Sequence, residues 1–256
     1  MRLRDPSAKA SASRRLAEIW GAGGLDVGYS LPPPRPARPE RPLLRPPKEM
    51  PTRRAFGSAA GRVALLHALA HIELNAIDLA WDIVARFRRE PLPRTSVGVA
   101  AEEAVHFELL ARRLADFGAR YGDLPAHDGL WESAAATADD LLARLAVVPL
   151  VLEARGLDVT PEMAATLERV GDPESAAVLR RIYCDEIDHV AAGVRWFDEL
   201  CRARGQVPEE TFRELVRRHF KGELKPPFNR EARAAAGFPA RYYEPLLRGG
   251  VPLLRG

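Results

Sequence analysis

The sequence predicts an all-α protein in which four principal helices form a bundle. Between residues 58 and 203, apolar side chains recur at steps of three and four residues, the spacing of one face of an α-helix. No segment alternates apolar and polar residues as a half-buried strand does. The 256 residues, of which 46% are hydrophobic, suffice for a sizeable core. We therefore expect a helical bundle with an extension at each end.

The N-terminal part of the chain is rich in proline. A short amphipathic helix is predicted over residues 8–20. Nine prolines follow from Pro32 to Pro51, and because each fixes φ and lacks a backbone donor, this stretch is extended chain. It is a linker, a disordered tail or a strap laid over the folded body, with Leu43 and Leu44 as anchors of a strap.

Four apolar stripes define the helices of the bundle. In chain order, they and the residues that bound them are 66–84 before Pro91 and Pro93, 99–117 before Gly118 and Gly122, 142–153 before Gly156, and 179–200 after Asp172 and Pro173. Pro149 should kink the third helix and free a carbonyl group. After that helix, Thr160 as N-cap and Pro161 at the first position predict a short helix that ends near Gly171.

These patterns divide the chain into three segments. A proline-rich extension occupies residues 1–57, and the bundle occupies residues 58–203. A basic extension over residues 204–256 completes the chain. Prolines punctuate this last segment, so we expect one helix near residues 208–221 and an irregular tail after it.

Charge is unevenly distributed along the chain. Residues 1–58 contain twelve Lys/Arg and five Asp/Glu, whereas residues 59–200 contain fourteen and twenty-four. Residues 201–256 contain twelve and six. Either the basic ends lie against the acidic middle and neutralise it, or they bind an anionic partner such as RNA. No RNA-binding motif accompanies the basic residues, which favours the first account.

Nothing in the sequence predicts export or a membrane partner. The first twenty residues lack the apolar core of a signal peptide, and a transit peptide is the weaker alternative. The apolar stretches are shorter than the roughly 20 residues that span a bilayer. Cys184 and Cys201 would lie about 25 Å apart on one helix, too far for a disulfide. We expect a cytoplasmic protein.

Each bundle helix carries a carboxylate in the middle of its apolar stripe. An ionised carboxylate in a core must pair, become neutral or bind metal, because its transfer from water costs many kcal/mol. The core-facing positions offer no matching set of Lys or Arg. Two divalent metal ions would balance the charge of these four glutamates, which are Glu73, Glu103, Glu153 and Glu186.

The spacing of the glutamates adds two histidines to the predicted site. Glu103 with His106 and Glu186 with His189 are both Glu-x-x-His, and residues three apart project from one side of a helix. A single Glu precedes these pairs by 30 and 33 residues, so one helix–turn–helix unit is used twice. Ferritin-like di-iron and di-manganese proteins bind metal in this way. Two alternatives remain: the six residues lie on the surface, or they bind a metal that serves only structure.

Four residues close to the predicted ligands in the sequence have candidate supporting or structural roles. His71 is a packed histidine or one that contacts a ligand, whereas His67 is structural. Asp188 either orients a ligand histidine or is a solvated helix charge. Tyr183 lies one turn before Glu186 and is the candidate catalytic residue, as a redox-active or hydrogen-bonding neighbour; the alternative is a core tyrosine.

Several stretches resemble a bacterial family of unknown function within the ferritin-like superfamily. They are HALAHIELNAIDLAWD, EEAVHFELL, LEARGLDVTPEM and YCDEIDHVAAGVRWF, and LKPPFNREARAAAGF resembles the family's C-terminal region. The resemblance covers roughly residues 55–245. More distantly, the chain is similar to the di-iron hydroxylase that modifies a prenylated, methylthiolated adenosine in tRNA. The resemblance implies the six metal ligands Glu73, Glu103, His106, Glu153, Glu186 and His189.

The function expected from these residues is that of a di-iron carboxylate oxidoreductase. Carboxylate and imidazole ligands suit iron or manganese better than metals that prefer thiolate. We expect two iron ions, or manganese, and an electron donor. The expected reaction is hydroxylation or desaturation of an unknown substrate. By the distant analogy, that substrate could be a modified tRNA nucleoside. The alternatives are peroxide or metal handling without an organic substrate, and a non-catalytic protein that the metal holds together.

Overall fold

The computed structural model describes residues 2–25, 28–29, 31–50, 56–90 and 93–247, and these residues are mainly helical. The helices are α1 (Pro6–Gly21), α2 (Ala59–Arg86), α3 (Pro93–Asp116), α4 (Gly129–Ala135), α5 (Leu141–Val147), a π-helical segment (Val148–Glu153), α6 (Ala154–Arg169), α7 (Pro173–Ala203), α8 (Pro208–His219) and α9 (Arg230–Ala235). Across the described residues no β-strand forms, although an isolated bridge joins Leu44 and Ala126. The predicted all-α class is confirmed.

Side chains that cap the backbone set the ends of the long helices. Ser58 Oγ accepts a hydrogen bond from the N–H of Gly61 at 3.1 Å and starts α2. Asp172 Oδ1 accepts from the N–H of Ser175 at 3.0 Å and starts α7, as the sequence predicted. Gly118 ends α3 with a φ of +70°, a left-handed conformation that glycine adopts without strain.

Two prolines were predicted to end the first helix of the bundle. Helix α2 ends at Arg86, before both of them. Pro91 lies outside the described residues, whereas Pro93 is the first residue of α3. Proline is favoured at that position because the first N–H groups of a helix have no partner within it.

The third helix is irregular at Pro149, as the sequence predicted. There the chain passes from α5 into the π-helical segment, and the N–H of Ala154 donates to the carbonyl of Pro149. That bond spans five residues instead of four, so this turn holds an extra residue. Proline itself has no N–H to give to the turn before it, which explains why the α-helical pattern stops here.

The predicted break at Gly156 and the predicted short helix beginning at Pro161 were both wrong. Helix α6 runs without interruption from Ala154 to Arg169, and Pro161 lies inside it. The reason is an apolar face that continues through the whole segment and is fully buried at Ala154 and Leu157. Burial of that face outweighs the weak local preferences of glycine and proline.

The chain forms two compact units. Unit 1 comprises Met1–Ala135 and Glu162–Ile182, and unit 2 comprises Ala136–Pro161 and Tyr183–Gly256. In unit 1, α2 packs against α3, and α1 packs against both. Their buried faces form an apolar core whose members include Leu66, Leu74, Phe107, Leu110 and Leu179.

Helix α2 is long and apolar enough to cross a membrane, judged by length and composition alone. Among the described residues it is the one helix that passes this test. However, 78% of its most apolar stretch is buried inside the structure. That burial is the pattern of a core helix in a soluble protein, in agreement with the position of α2 in unit 1.

The extension at the N-terminus is tied to the acidic residues of unit 1. Lys9 Nζ lies 2.7 Å from Asp78 Oδ2 and also donates to the carbonyl of Ala37 at 2.9 Å. Both Lys9 and Asp78 are fully buried. Arg14 pairs with Glu108 at 2.9 Å. These contacts support the account in which basic extensions neutralise an acidic body.

Leu43 and Leu44 were predicted to anchor the proline-rich strap, and they do so through their backbone and not through their side chains. Both side chains are exposed, whereas Pro36 and Pro42 are buried. Backbone and arginine contacts hold the strap: the N–H of Ala126 donates to the carbonyl of Leu43 at 3.0 Å, and Arg38 donates to Asn75 Oδ1 at 2.5 Å. Two adjacent leucines in the sequence suggest an apolar anchor, but they do not reveal contacts made by peptide groups and arginines.

Unit 2 is built around aromatic side chains, and its tail is packed rather than loose. Phe212 of α8 makes edge contacts with Phe197, Phe238 and Tyr242, at centroid distances of 6.2, 5.3 and 5.8 Å. The sequence predicted the helix near residues 208–221, which is confirmed as α8, but the irregular tail was only partly right. The tail includes α9 and buries several rings because they complete this core.

Candidate metal centre

Three of the predicted ligands come together in unit 1. Glu73 lies on the buried face of α2, between the core residues Ala70 and Ile77. Glu103 and His106 lie one turn apart on α3, the helix that packs against α2. Because the same apolar stripes that form the core carry these side chains, folding moves two carboxylates and an imidazole out of water.

The three side chains form a tight group. His106 Nδ1 is 3.4 Å from Glu73 Oε2 and 3.4 Å from Glu103 Oε2. Glu73 is 4% exposed, and Glu103 and His106 are 0% exposed. Each offers a ligand atom within 4.8 Å of the other two, which is close enough for one metal ion to bind all three. This buried group of glutamates and histidine could therefore hold a metal ion.

Burial and proximity perturb the ionisation of this group strongly. Burial raises the pKa of Glu73 well above its ordinary value, and the charge of Glu103 raises it further. Burial alone would lower the pKa of His106, but hydrogen bonds with Glu103 and Glu73 outweigh it and raise that pKa to about 11. Without metal, the histidine is therefore a cation at neutral pH and neutralises part of the carboxylate charge.

The donor set fits a hard or intermediate divalent ion. Two carboxylates and one imidazole are the oxygen and nitrogen donors that iron, manganese or zinc accept in proteins. Metal binding requires a neutral imidazole, so an ion would replace the proton on His106 and supply the positive charge in its place.

Unit 2 carries the second predicted set. Glu186 and His189 lie one turn apart on α7, with His189 Nδ1 3.5 Å from Glu186 Oε1. They are 8% and 3% exposed. Glu153 is the last residue of the π-helical segment and is half-buried. The pair on α7 thus repeats, in burial and spacing, the pair on α3, and the role of Glu153 stays a prediction.

Comparison with known proteins identifies the family. The family described as "Protein of unknown function (DUF455)" matches residues 2–244. The chain belongs to the DUF455 family. It is 42% identical over 215 residues to a protein of Haemophilus influenzae that bears the name "Uncharacterized protein", a match that covers 79% of this chain and 73% of that one. No solved structure matches the chain. The resemblance to a bacterial family of unknown function is confirmed.

Tyr183 of this DUF455 chain is half-buried, one turn before Glu186 on α7. Its hydroxyl oxygen accepts a hydrogen bond from Asn229 Nδ2 at 3.1 Å. Asn229 also donates to the carbonyl of Leu157 at 3.1 Å, so a residue of the C-terminal extension links α6 and α7. Asn229 could not be identified as a linking residue from the sequence, because a lone asparagine in a basic segment resembles any turn residue.

His67 and His71 are packed histidines of the DUF455 chain. For His71, this is the first of the two predicted roles. His71 Nε2 lies 3.1 Å from the carbonyl of His127, which can only accept, so Nε2 donates and Nδ1 accepts from the hydroxyl of Tyr121 at 2.8 Å. His67 Nε2 accepts from the N–H of Gly122 at 2.9 Å. Burial lowers the pKa of His71 to about 3 and that of His67 to about 4, and nearby Arg38 lowers that of His71 further.

Asp188 is exposed on α7. That position agrees with a solvated helix charge, the second of the two roles considered for it. The carboxylates of Asp78 and Asp158 are also buried, and each pairs with a buried cation that the sequence did not indicate.

Proposed function

We propose that this protein is a di-iron carboxylate oxidoreductase that uses dioxygen to hydroxylate or desaturate an organic substrate. The observation that carries the proposal is the buried group of Glu73, Glu103 and His106 on α2 and α3. Two ionised carboxylates that are buried side by side repel each other. A bound cation would offset that repulsion.

Three residues of unit 2 are proposed to supply the second half of the ligand set. Glu186 is a buried carboxylate with the same chemistry as the glutamates of unit 1. His189 repeats the position of His106, three residues after a glutamate. Glu153 takes the place of Glu73 in the second helix–turn–helix unit. The arrangement we propose is the ferritin-like bundle with two metal positions.

The residues themselves perform distinct tasks in this proposal. The glutamates neutralise the charge of two ions, and each histidine provides one neutral nitrogen. When bound, iron supplies the redox chemistry with dioxygen, and manganese is the alternative ion. The apolar neighbours Leu74, Phe107 and Leu110 exclude water from the carboxylates of unit 1.

An electron donor and a substrate are the partners that this reaction requires. A modified tRNA nucleoside is a proposed substrate that rests on the distant resemblance alone. Nucleic acid that co-purifies with the protein and is released in moderate salt would support it. Clean protein without RNA retention at low salt would count against it.

A cytoplasmic location is part of the proposal. Cys184 and Cys201 are both free thiols in the structure, as expected from their spacing along one helix. Free thiols are usual in a reducing compartment.

The alternative function is peroxide or metal handling by the same site without an organic substrate, and a purely structural metal is a third. Anaerobic iron loading followed by air separates them. About two irons per chain and a transient near-ultraviolet to visible absorption support the first two functions, and turnover of a substrate distinguishes between those. Stable iron without any response to air would favour a structural role.

Variants on α3 and α7 test the ligand assignment. Glu103→Ala should abolish metal binding while the protein stays helical by circular dichroism, and Glu186→Ala should do the same. Glu102→Ala is the matched control, since Glu102 is the exposed neighbour of Glu103 on the same helix. Unchanged metal content in the Glu103 and Glu186 variants would refute the assignment.

A further inference from the structure

Helix α7 and the π-helical segment touch at a glycine. A Cβ atom placed on Gly193 would lie 2.7 Å from Cβ and 2.9 Å from Cγ of Pro149, and 3.1 Å from Cδ1 of Leu150. These distances are shorter than van der Waals contact, and a proline ring cannot turn away as a flexible side chain does. The ring of Pro149 therefore rests directly on the backbone of α7, and glycine is the residue that permits this approach.

The contact lies beside the proposed ligands of unit 2. On α7, Glu186, His189 and Gly193 are spaced by three and four residues, so they share one face of the helix. On the other side, Pro149 begins the wide turn that ends at Glu153. The contact of the proline ring with Gly193 thus sets a distance between two parts of unit 2. One part is the segment that carries Glu153, and the other is the face of α7 that carries the Glu-x-x-His pair.

The π-helical turn and the glycine act together. The hydrogen bond from the N–H of Ala154 to the carbonyl of Pro149 places an extra residue in this turn, which rotates Glu153 relative to its position in a regular α-helix. Proline maintains this pattern because it cannot donate to the preceding turn. Pro149 therefore determines the direction of Glu153, and Gly193 determines how close the segment that carries Glu153 comes to α7.

We propose that Pro149 and Gly193 are positioning residues for the second metal position, because their contact sets how closely the segment that carries Glu153 approaches the face of α7 that carries Glu186 and His189. The inference rests on the proposed function, in which these three residues bind an ion. Metal–ligand distances tolerate deviations of about 0.2 Å. A methyl group at residue 193 has to displace the proline ring by more than that to reach ordinary contact.

Gly193→Ala tests the proposal through metal binding by the full chain. Wild-type protein should take up about two ferrous ions per chain under anaerobic conditions. The variant should keep one and bind the second roughly 10–100-fold more weakly, the range seen when residues behind metal ligands are changed. The measurements are metal content after desalting and anaerobic titration, with circular dichroism as a check of helicity.

Two control variants separate positioning from general destabilisation. Gly156→Ala also replaces a helical glycine of unit 2, but a Cβ there meets nothing within 4 Å, so both ions should bind as in the wild type. Val151→Ala opens a cavity in the π-helical segment and leaves the contact of Pro149 with Gly193 in place. It should lower the unfolding temperature but retain two ions.

Each outcome decides a different claim. If wild-type protein binds no metal, the proposed function fails and the inference with it. If wild-type protein binds two ions and Gly193→Ala binds both with unchanged affinity, the inference alone is overturned. Equal loss of the second ion in Val151→Ala would also overturn it, because destabilisation would then explain the effect.

A second variant decides the matter if Gly193→Ala does not fold. Pro149→Ala restores a backbone donor and removes the ring, so the turn can return to the regular α-helical pattern. It should remain folded and weaken the second ion to a similar extent. Binding of two ions with wild-type affinity by folded Pro149→Ala would overturn the inference.

Discussion

His106 Nδ1 lies 3.4 Å from a carboxylate oxygen of Glu73 in the interior of unit 1, and the two residues come from different helices. The contact carries charge even without metal, because hydrogen bonds to two glutamates outweigh the effect of burial and raise the pKa of His106 to about 11. In the metal-free protein, the imidazole of His106 therefore carries a proton at the place where we propose that a metal ion binds.

Metal binding should therefore release protons. At pH 7 the imidazole of His106 is protonated in the metal-free protein, and the ion binds only its neutral form. Affinity should rise with pH from 6 to 8, and at least one proton per chain should be released. Calorimetric titration in two buffers with different ionisation enthalpies measures this number. Binding without proton release, at an affinity that does not vary with pH, would contradict the prediction.

Two buried histidines should make the protein less stable as the solution becomes acidic. His67 and His71 are held neutral in the fold, with pKa values of about 4 and about 3, whereas in the unfolded chain both titrate near pH 6.5. Between about pH 6.5 and pH 4 the unfolded state binds more protons at these two histidines, so their contribution to the free energy of unfolding decreases as pH falls. Urea denaturation of metal-free protein at several pH values checks this.

His71→Gln tests the source of that pH dependence. Glutamine keeps an amide that hydrogen bonds to Tyr121 and to the carbonyl of His127, but it cannot titrate. The variant should be less stable near pH 7 and should show a shallower loss between pH 6.5 and 4. A slope equal to that of the wild type would assign the effect to other groups.

Replacement of Lys9 by methionine should destabilise the protein by about 3–5 kcal/mol, since it leaves Asp78 as a buried carboxylate without its closest cation. The double variant Lys9→Met/Asp78→Leu should recover much of this loss, because both charges are then absent. Arg14→Ala breaks a partly exposed pair with Glu108 and should cost less than about 1 kcal/mol. Chemical denaturation compares the three. Equal losses in Lys9→Met and Arg14→Ala would contradict the buried pairing.

Asn229→Ala should loosen the C-terminal extension. The change removes the donors to Leu157 and Tyr183 and the side-chain cap on the N–H of Ala232, at a cost of about 1–3 kcal/mol. Hydrogen exchange should become faster over residues 225–243. Asn229→Ser keeps a capping oxygen but cannot reach Tyr183, so it separates the cap from the link between α6 and α7. Unchanged exchange in both variants would mean that other contacts hold the extension.

The long helices and part of the site could be predicted from the sequence for a specific reason. Glu73, Glu103 and His106 interrupt apolar stripes, and a polar group in such a stripe is conspicuous in a sequence. Helix α4 was missed, because its seven residues are too few for a periodic pattern to be distinguished.

Other features depend on contacts between residues that are distant in the chain. The pair of Lys9 and Asp78 consists of two charges that each resemble an ordinary surface residue when read alone. Arg233 is buried beside Asp158 at 2.7 Å and lies over the ring of Tyr243 at 4.5 Å, yet it belongs to a segment that composition describes as a basic tail. Tertiary packing decides such positions, and local pattern carries no information about it.

The ion pair between Lys9 and Asp78 also sets where the minimal folding unit of this protein begins. A shortened chain that starts at α2 would retain every proposed metal ligand, and a design based on ligands alone would accept it. Such a chain would nevertheless leave Asp78 without its partner Lys9, and the surface of α2 and α3 that α1 covers would be exposed. Domain boundaries chosen for expression or for transfer of this site to another scaffold should therefore include α1, since the amino-terminal helix supplies part of the interior.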